Sequence, residues 1–289
     1  MIDEEILKKV RKIQIRTNRL ADDIMAGMYA SAFKGVGIEF SEVRKYLPGD
    51  EIRSIDWNVT ARMGEPYVKK FEEEREQTII FLVDASSSFS FGTVNRMKNE
   101  LTAEICAILA FSAIENNDKV GLVIFSDKIE KHIPPRKGRR HVLRVIRELL
   151  YFEPTGHGTD ISGVLEYINK VTHGRAITFL VSDFIDTDYQ KPFQIASRRH
   201  DLIPITITDP KEIELPSVGL VRLQDAETGR EIVLDSSSKQ VREEYEENFR
   251  RKVAERDKIF LKANVKSIDL RTDQDYVEEL IKFFNSRKK

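Results

Sequence analysis

The sequence predicts an α/β fold built on a mostly parallel, doubly wound sheet with helices on both faces. Two observations carry that expectation. From about residue 78, short apolar runs rich in β-branched residues alternate with stretches whose apolar residues recur every three or four positions, the pattern of strands joined by crossover helices. Two of the runs, "TIIFLVD" and "AITFLVSDF", also end alike in oxygen-bearing side chains. Open parallel sheets bind ligands at the carboxyl ends of their strands, so such endings mark a candidate crevice.

The elements follow in order. After "TIIFLVD", the residues Val94, Met97, Leu101, Ile105, Ile108 and Leu109 recur as on a buried helix face, "VGLVIFS" gives a second strand, and "KIEKHIPP", closed by two prolines, gives a partner strand. "HVLRVIRELLYF" carries a helical stripe, and "TDISGVLEYINKV" is a helix that Thr159 or Asp160 can cap. "AITFLVSDF" is a strand, "YQKPFQIASRR" a helix, and "DLIPITITD" a strand. They are followed by a β-hairpin insertion near 219–235, a charged helix near 238–258, the strand "VKSIDL" and a final helix "DYVEELIKFFNSR". Residues 1–77 do not alternate in this way. Ile6, Val10, Ile13, Leu20, Ile24 and Met28 suggest one or two helices, and the charged, glycine-punctuated remainder offers only short strands. The expected organisation is an N-terminal helical and charged appendage, 1–77, packed on a main domain, 78–289.

Composition narrows the function classes. The chain has 289 residues, 40% of them hydrophobic, enough for one large domain with an appendage. Its 47 basic and 48 acidic residues leave a net charge of -1, which gives no general argument for nucleic acid or an anionic membrane. No run approaches the roughly 18 apolar residues of a membrane span, and "MIDEEILKKVRK" lacks the apolar core of a signal peptide, so a cytoplasmic location without a membrane span is expected. The single cysteine, Cys106, reads as a small buried apolar residue rather than a catalytic thiol.

The strand-end residues form the candidate site. Asp84, Ser86 and Ser88 lie just past one strand, Asp183 just past another, and Thr159 opens a helix between them. If the two strands are neighbours, an all-oxygen set of two carboxylates and three hydroxyls converges, which suits a hard ion such as Mg²⁺ or Mn²⁺. In the spacing D-x-S-x-S, alternate side chains of a tight loop can face one side. Neutral hydroxyl ligands leave the ion enough charge to attract an anion.

"DASSS", "GHGTD" and "VSDF" resemble, in order, the metal-ion-dependent adhesion site of von Willebrand factor type A domains. That resemblance implies that Ser86, Ser88 and Thr159 coordinate the ion, that Asp84 and Asp183 act directly or through water, and that a partner's Glu or Asp completes the shell. Phe184 departs from it, standing where many such domains have glycine. A resemblance over nearly the whole chain, carried by "GVGIEFSEVRKYLPGDEIRSIDWNVTAR", "KKFEEERE", "DASSSFSFG", "NNDKVGLVIFSD" and "PPRKGRRHVLRVIREL", is to domain-of-unknown-function family 58. Its members resemble von Willebrand type A proteins associated with MoxR-type AAA+ ATPases. It implies a non-enzymatic, metal-dependent protein-interaction module that acts as partner or adaptor of such an ATPase or its client.

The same residues admit other readings. A metal-dependent hydrolase could use the same oxygens, with His157 or Asp160 as base. A dehalogenase-type phosphatase would need an acid where Ser86 stands, and no glycine-rich nucleotide loop or G-x-S-x-G elbow occurs. Arg136, Lys137, Arg139 and Arg140 could dock an acidic partner; without interleaved aromatic residues they do not argue for nucleic acid. Trp57 is either a fastener for the appendage or a hot spot for a partner.

Overall fold

Four continuous apolar runs form the inner strands of one six-stranded sheet, because runs of this kind are stable only when covered on both faces. In the computed structural model the described residues are 26–33, 37–74, 76–87, 97–156, 158–224 and 231–287. Ile6, Val10, Ile13, Leu20, Ile24, Ser88, Val94 and His157 lie outside them. The sheet order is β10-β7-β6-β3-β4-β5, where β3 is Thr78–Asp84, β4 Lys119–Phe125, β5 Ile129–Arg136, β6 Ile177–Ser182, β7 Asp201–Thr208 and β10 Ile268–Arg271. All neighbours are parallel except β5, which runs antiparallel to β4 at one edge. The expected mixed α/β architecture with a mostly parallel sheet is what the chain adopts.

Alternation along β3 shows the layering. Ile80 and Leu82 join a core with Ile161, Val164, Leu165 and Ile168 of α5 (Ile161–Val171) and with Phe193 and Ala196 of α6 (Gln190–Arg199). Ile79, Phe81 and Val83 point to the opposite face, where Phe81 stacks on Phe179 of β6 at 5.5 Å. Helix α3, Lys98–Glu115, is buried on all sides from Leu101 to Ala113 apart from Glu104. The single stripe expected here was too narrow, and Met97, expected on the buried face, is exposed and precedes the helix as its N-cap. Helix α4, Arg139–Tyr151, follows β5 and buries Val142, Val145, Ile146 and Leu149.

The chain divides into two compact units, Met1–Ala32 with Gln77–Lys289, and Phe33–Glu76. In the first, the short helix α1, Ala26–Ala32, buries Met28 and Tyr29, and the Tyr29 hydroxyl donates to Asp118 Oδ2 at 3.0 Å. The expected hairpin is present as β8, Leu220–Gln224, antiparallel to β9, Glu231–Asp235. The charged helix is α8, Lys239–Lys262, of which only Arg256 and Phe260 are buried, and α9, Tyr276–Arg287, ends the described chain.

The second unit differs from expectation. In place of short strands it holds a long antiparallel pair, β1 Gly37–Lys45 with β2 Tyr67–Glu74, with a bulge between Phe40 and Glu42. Helix α2, Trp57–Met63, lies between them. Asp56 caps it by accepting from Asn58 N and Val59 N, and Gly64 ends it at φ 72°. Arg44 grips Asp50 through two hydrogen bonds of 2.8 and 2.7 Å.

Candidate functional site

The sheet changes its direction of growth between β3 and β6. From β3 the chain adds β4 and β5 to one side, and from β6 it adds β7 and β10 to the other, so the crevice at the carboxyl ends of β3 and β6 is the fold's switch point. Asp84 is the last residue of β3, and Asp183 follows the last residue of β6. Both are buried: Asp84 is 0% exposed, and the Asp183 side chain 5%.

Asp84 accepts from Ser86 N at 2.8 Å through Oδ1, and from Ser182 Oγ at 2.6 Å and Thr159 Oγ1 at 3.4 Å through Oδ2. Burial, followed by the charge of Asp183, pushes its carboxyl up to about 7 against the opposing pull of Ser182 and Ser86. Asp183 accepts from Ile185 N at 3.2 Å through Oδ1, while its buried Oδ2 has no hydrogen-bond donor. A cavity of about 40 Å³ beside Asp84, lined in part by Asn99 and Thr102, has room for water. Asn99 Oδ1 is likewise buried without a donor.

Thr159 is held beside Asp84 by its loop. Glu130 clamps that loop by accepting from Thr155 N, Thr155 Oγ1 and Gly156 N, as well as from Ser126 Oγ. Burial works to raise the Glu130 carboxyl, but these donors outweigh it and hold it below the usual range. A Cβ on Gly156 would lie 1.9 Å from Asp127 Oδ1 and 2.3 Å from Ser126 Oγ, so any larger residue would displace these two side chains. Asp160 caps α5 by accepting from Gly163 N at 2.7 Å, and Asp186 accepts from Ile161 N at 2.8 Å. Asp160 is thereby engaged as a helix cap rather than poised as a base.

Three residues that sequence reasoning missed complete the picture. Ser182 links Phe184 N, from which it accepts at 3.0 Å, to Asp84. Lys98, fully buried at the first position of α3, places Nζ 2.5 Å from Glu212 Oε1 and 3.6 Å from Asp183 Oδ2. Glu212 lies in the short helix α7, Pro210–Ile213, within a capping box in which it accepts from Asp209 N. The signal for Glu212 was available: "DLIPITITDPKE" is a further strand ending in aspartate, followed by a D-x-x-E capping pattern with Pro at its first helical position. A cleft of about 370 Å³ opens beside Asp183 and Glu212 and is walled by Phe184, Tyr245, Phe249 and Lys252, among others.

Phe184 takes φ 58°, in the left-handed region that favours glycine. Its ring turns into the core, edge-on to Phe260 at 5.1 Å and tilted against Tyr189 at 6.2 Å. The substitution that set this loop apart from the adhesion-site pattern therefore keeps a glycine-like backbone.

The other candidates lie elsewhere. Arg136 pairs with Val120 at the start of β4, whereas Asp84 pairs with Phe125 at its end, so Arg136, Lys137, Arg139 and Arg140 occupy the opposite end of the sheet from the carboxylates. All four are exposed, and Arg139 and Arg140 open α4. Trp57, at the start of α2 in the second unit, is 66% exposed, and Arg62 in the last turn of the same helix is exposed as well. Cys106 is buried, which pushes its thiol up and keeps it protonated.

Asp84, Ser86, Thr159 and Asp183 are the described residues that could hold an ion, and Ser88 lies outside the described segment. Among the described residues no three His, Cys, Asp or Glu side chains gather in metal-ligand geometry. The oxygen set is two carboxylates supplemented by hydroxyls. No described helix is long and apolar enough to cross a membrane.

An uncharacterized protein of Mycobacterium tuberculosis is 28% identical over 292 residues, covering 99% of this chain and 91% of its own. An uncharacterized protein of Bacillus subtilis is 30% identical over 110 residues, 38% of this chain and 25% of its own. Among solved structures, the conserved hypothetical protein BatB from Bacteroides thetaiotaomicron superposes with a TM-score of 0.45 at 14% identity, over 73% of this chain and 99% of its own. The SpRpn10 VWA domain superposes with 0.40 at 9%, over 71% and 94%. The family described as Protein of unknown function DUF58 matches residues 42–255, most of the chain, and the protein belongs to that family.

Proposed function

We propose that this chain is a non-enzymatic, von Willebrand type A-like interaction module in which a divalent ion, Mg²⁺ or Mn²⁺, captures a partner's carboxylate. The observation that carries the reading is the pair of buried carboxylates at the strand switch point: Asp84 raised to about 7, and Asp183 with an orphaned buried Oδ2. Two neighbouring buried acids, one of them held above its usual range, with acceptors left over, make a set that a cation completes. Asp84, Ser86, Thr159 and Asp183 would hold the ion, with Ser88 joining them as the adhesion-site resemblance implies. When bound, the ion supplies a positive centre for a Glu or Asp side chain of the partner.

The chain's own residues prepare that centre. Ser182 and Ser86 N fix the Asp84 carboxylate by donating to its two oxygens, and Glu130 fixes the Thr159 loop. The cleft beside Asp183, with Phe184 and Phe249 in its wall, offers apolar surface next to the ion position. The proposed partner is a MoxR-type AAA+ ATPase or its client, as the family resemblance implies, and the proposed location is cytoplasmic. Trp57 and the Arg136–Arg140 cluster are proposed as secondary partner surfaces.

The test compares wild type with Asp84→Ala in capture from native lysate, each in Mg²⁺ and in EDTA, together with direct Mn²⁺ titration. Capture of an AAA+ ATPase or its client only by wild type in Mg²⁺ is expected. Partners that survive both EDTA and the substitution would refute the reading.

A further inference from the structure

Lys98 stands at an unfavourable place for a lysine. Its side chain is 0% exposed, although lysine is almost never fully buried without a partner. It also occupies the first position of an 18-residue helix, where the helix dipole disfavours a cation. Opposite charge must offset both penalties, and two carboxylates from different elements supply it: Glu212 after β7 and Asp183 after β6.

The two distances are unequal in an informative way. Nζ lies 2.5 Å from Glu212 Oε1, a hydrogen-bonded ion pair, but 3.6 Å from Asp183 Oδ2, beyond hydrogen-bond range. Asp183 therefore faces the Lys98 ammonium while its Oδ2 keeps an acceptor position open. A lysine serving only to neutralise Asp183 would donate to it.

We infer that Lys98 is the internal counter-ion of the Asp84–Asp183 site, sharing Asp183 with the bound divalent ion and setting its affinity, while Glu212 holds the ammonium back. This deepens the metal-dependent reading and rests on it. Lys98 is a positioning residue that acts through Asp183. Its positive charge lowers the affinity for any second cation, and Glu212 restores affinity by drawing that charge aside.

The inference gives two substitutions opposite effects. Lys98→Met keeps length and apolar bulk but removes the charge competing for Asp183, so Mn²⁺ should bind at least tenfold more tightly. Glu212→Gln keeps the oxygen that accepts from Asp209 N but releases the ammonium toward Asp183, so Mn²⁺ should bind at least threefold more weakly. Mere damage to the fold would weaken binding in both.

The experiment is Mn²⁺ titration of the full chain by calorimetry, for wild type and both variants, with unfolding midpoints as a control for folding. Tighter binding by Lys98→Met and weaker binding by Glu212→Gln supports the inference. Equal affinities in all three, or loss of affinity in both variants, overturns it while leaving the metal reading intact. Should Lys98→Met fail to fold, Glu212→Gln decides: unchanged or tighter binding overturns the inference. If no form binds Mn²⁺, the metal reading itself falls and takes this inference with it.

Discussion

Replacing Phe184 by glycine should destabilise the protein less than replacing it by alanine, the reverse of the usual order. Both substitutions remove a ring that is 5% exposed and packs on Phe260 and Tyr189; truncating a core phenylalanine costs about 3–5 kcal/mol. The two differ in the backbone. At φ 58° an L side chain costs about 1–2 kcal/mol, a penalty alanine keeps and glycine sheds. Glycine gives back about 0.5–1 kcal/mol through its greater freedom in the unfolded chain. The balance leaves Phe184→Gly more stable than Phe184→Ala by about 0.5–1 kcal/mol. Urea unfolding of the three proteins, with midpoints compared at equal slopes, measures this. A Phe184→Gly midpoint at or below that of Phe184→Ala would mean that the left-handed backbone after Asp183 is not a constraint, and the account of this loop would fail.

Three further outcomes are expected. In EDTA at pH 8, Asp84→Asn should be more stable than wild type: the rise of the carboxyl from 3.8 to about 7 corresponds to about 4 kcal/mol of charge burial, against about 1–3 kcal/mol for losing the Oδ2 acceptor that Ser182 and the more distant Thr159 share. Thermal unfolding checks this, and a less stable variant would contradict it. Gly156→Ala should cost about 1–3 kcal/mol through overpacking against Ser126 and Asp127 and should weaken Mn²⁺ binding by moving Thr159. An unfolding curve and metal titration matching wild type would refute the clamp. His200 is buried, which together with Arg199 and Arg175 lowers its imidazole to about 4. Its neutral form accepts from Ala176 N through Nδ1. Because the folded pKa is depressed, the unfolded chain binds the extra proton between about pH 6.5 and 4. Stability is therefore fully present above 6.5 and falls by about 3 kcal/mol toward pH 4. His200→Gln should flatten that limb in urea titrations repeated at several pH values, and parallel curves for the two proteins would refute it.

What was legible in the sequence follows from how local each signal is. "TIIFLVD" and "AITFLVSDF" read as buried strands because an uninterrupted apolar run needs no knowledge of its neighbours, and both are central strands. Asp84 and Asp183 could be brought together only on the condition that their strands are neighbours, which the sheet order meets. The strand β1 was underestimated because its bulge between Phe40 and Glu42 breaks the alternation of two on which strand reading depends. Helix α3 was read as a stripe because an all-round buried helix has no polar face to give away its width.

The Lys98–Glu212 pair was illegible for a different reason. The partners are separated by 114 positions, and a lysine in a sequence defaults to solvent; only the fold shows that the first turn of α3 and the helix after β7 meet behind Asp183. Ligand types can thus be read from short motifs, whereas the charge that tunes them comes from an element with no motif. On the proposed reading, a D-x-S-x-S pattern with its Thr and Asp partners names the candidate ligands but not how tightly they would hold an ion. In this chain the affinity should follow Lys98 and Glu212 as much as the hydroxyls, which the two opposed substitutions measure directly.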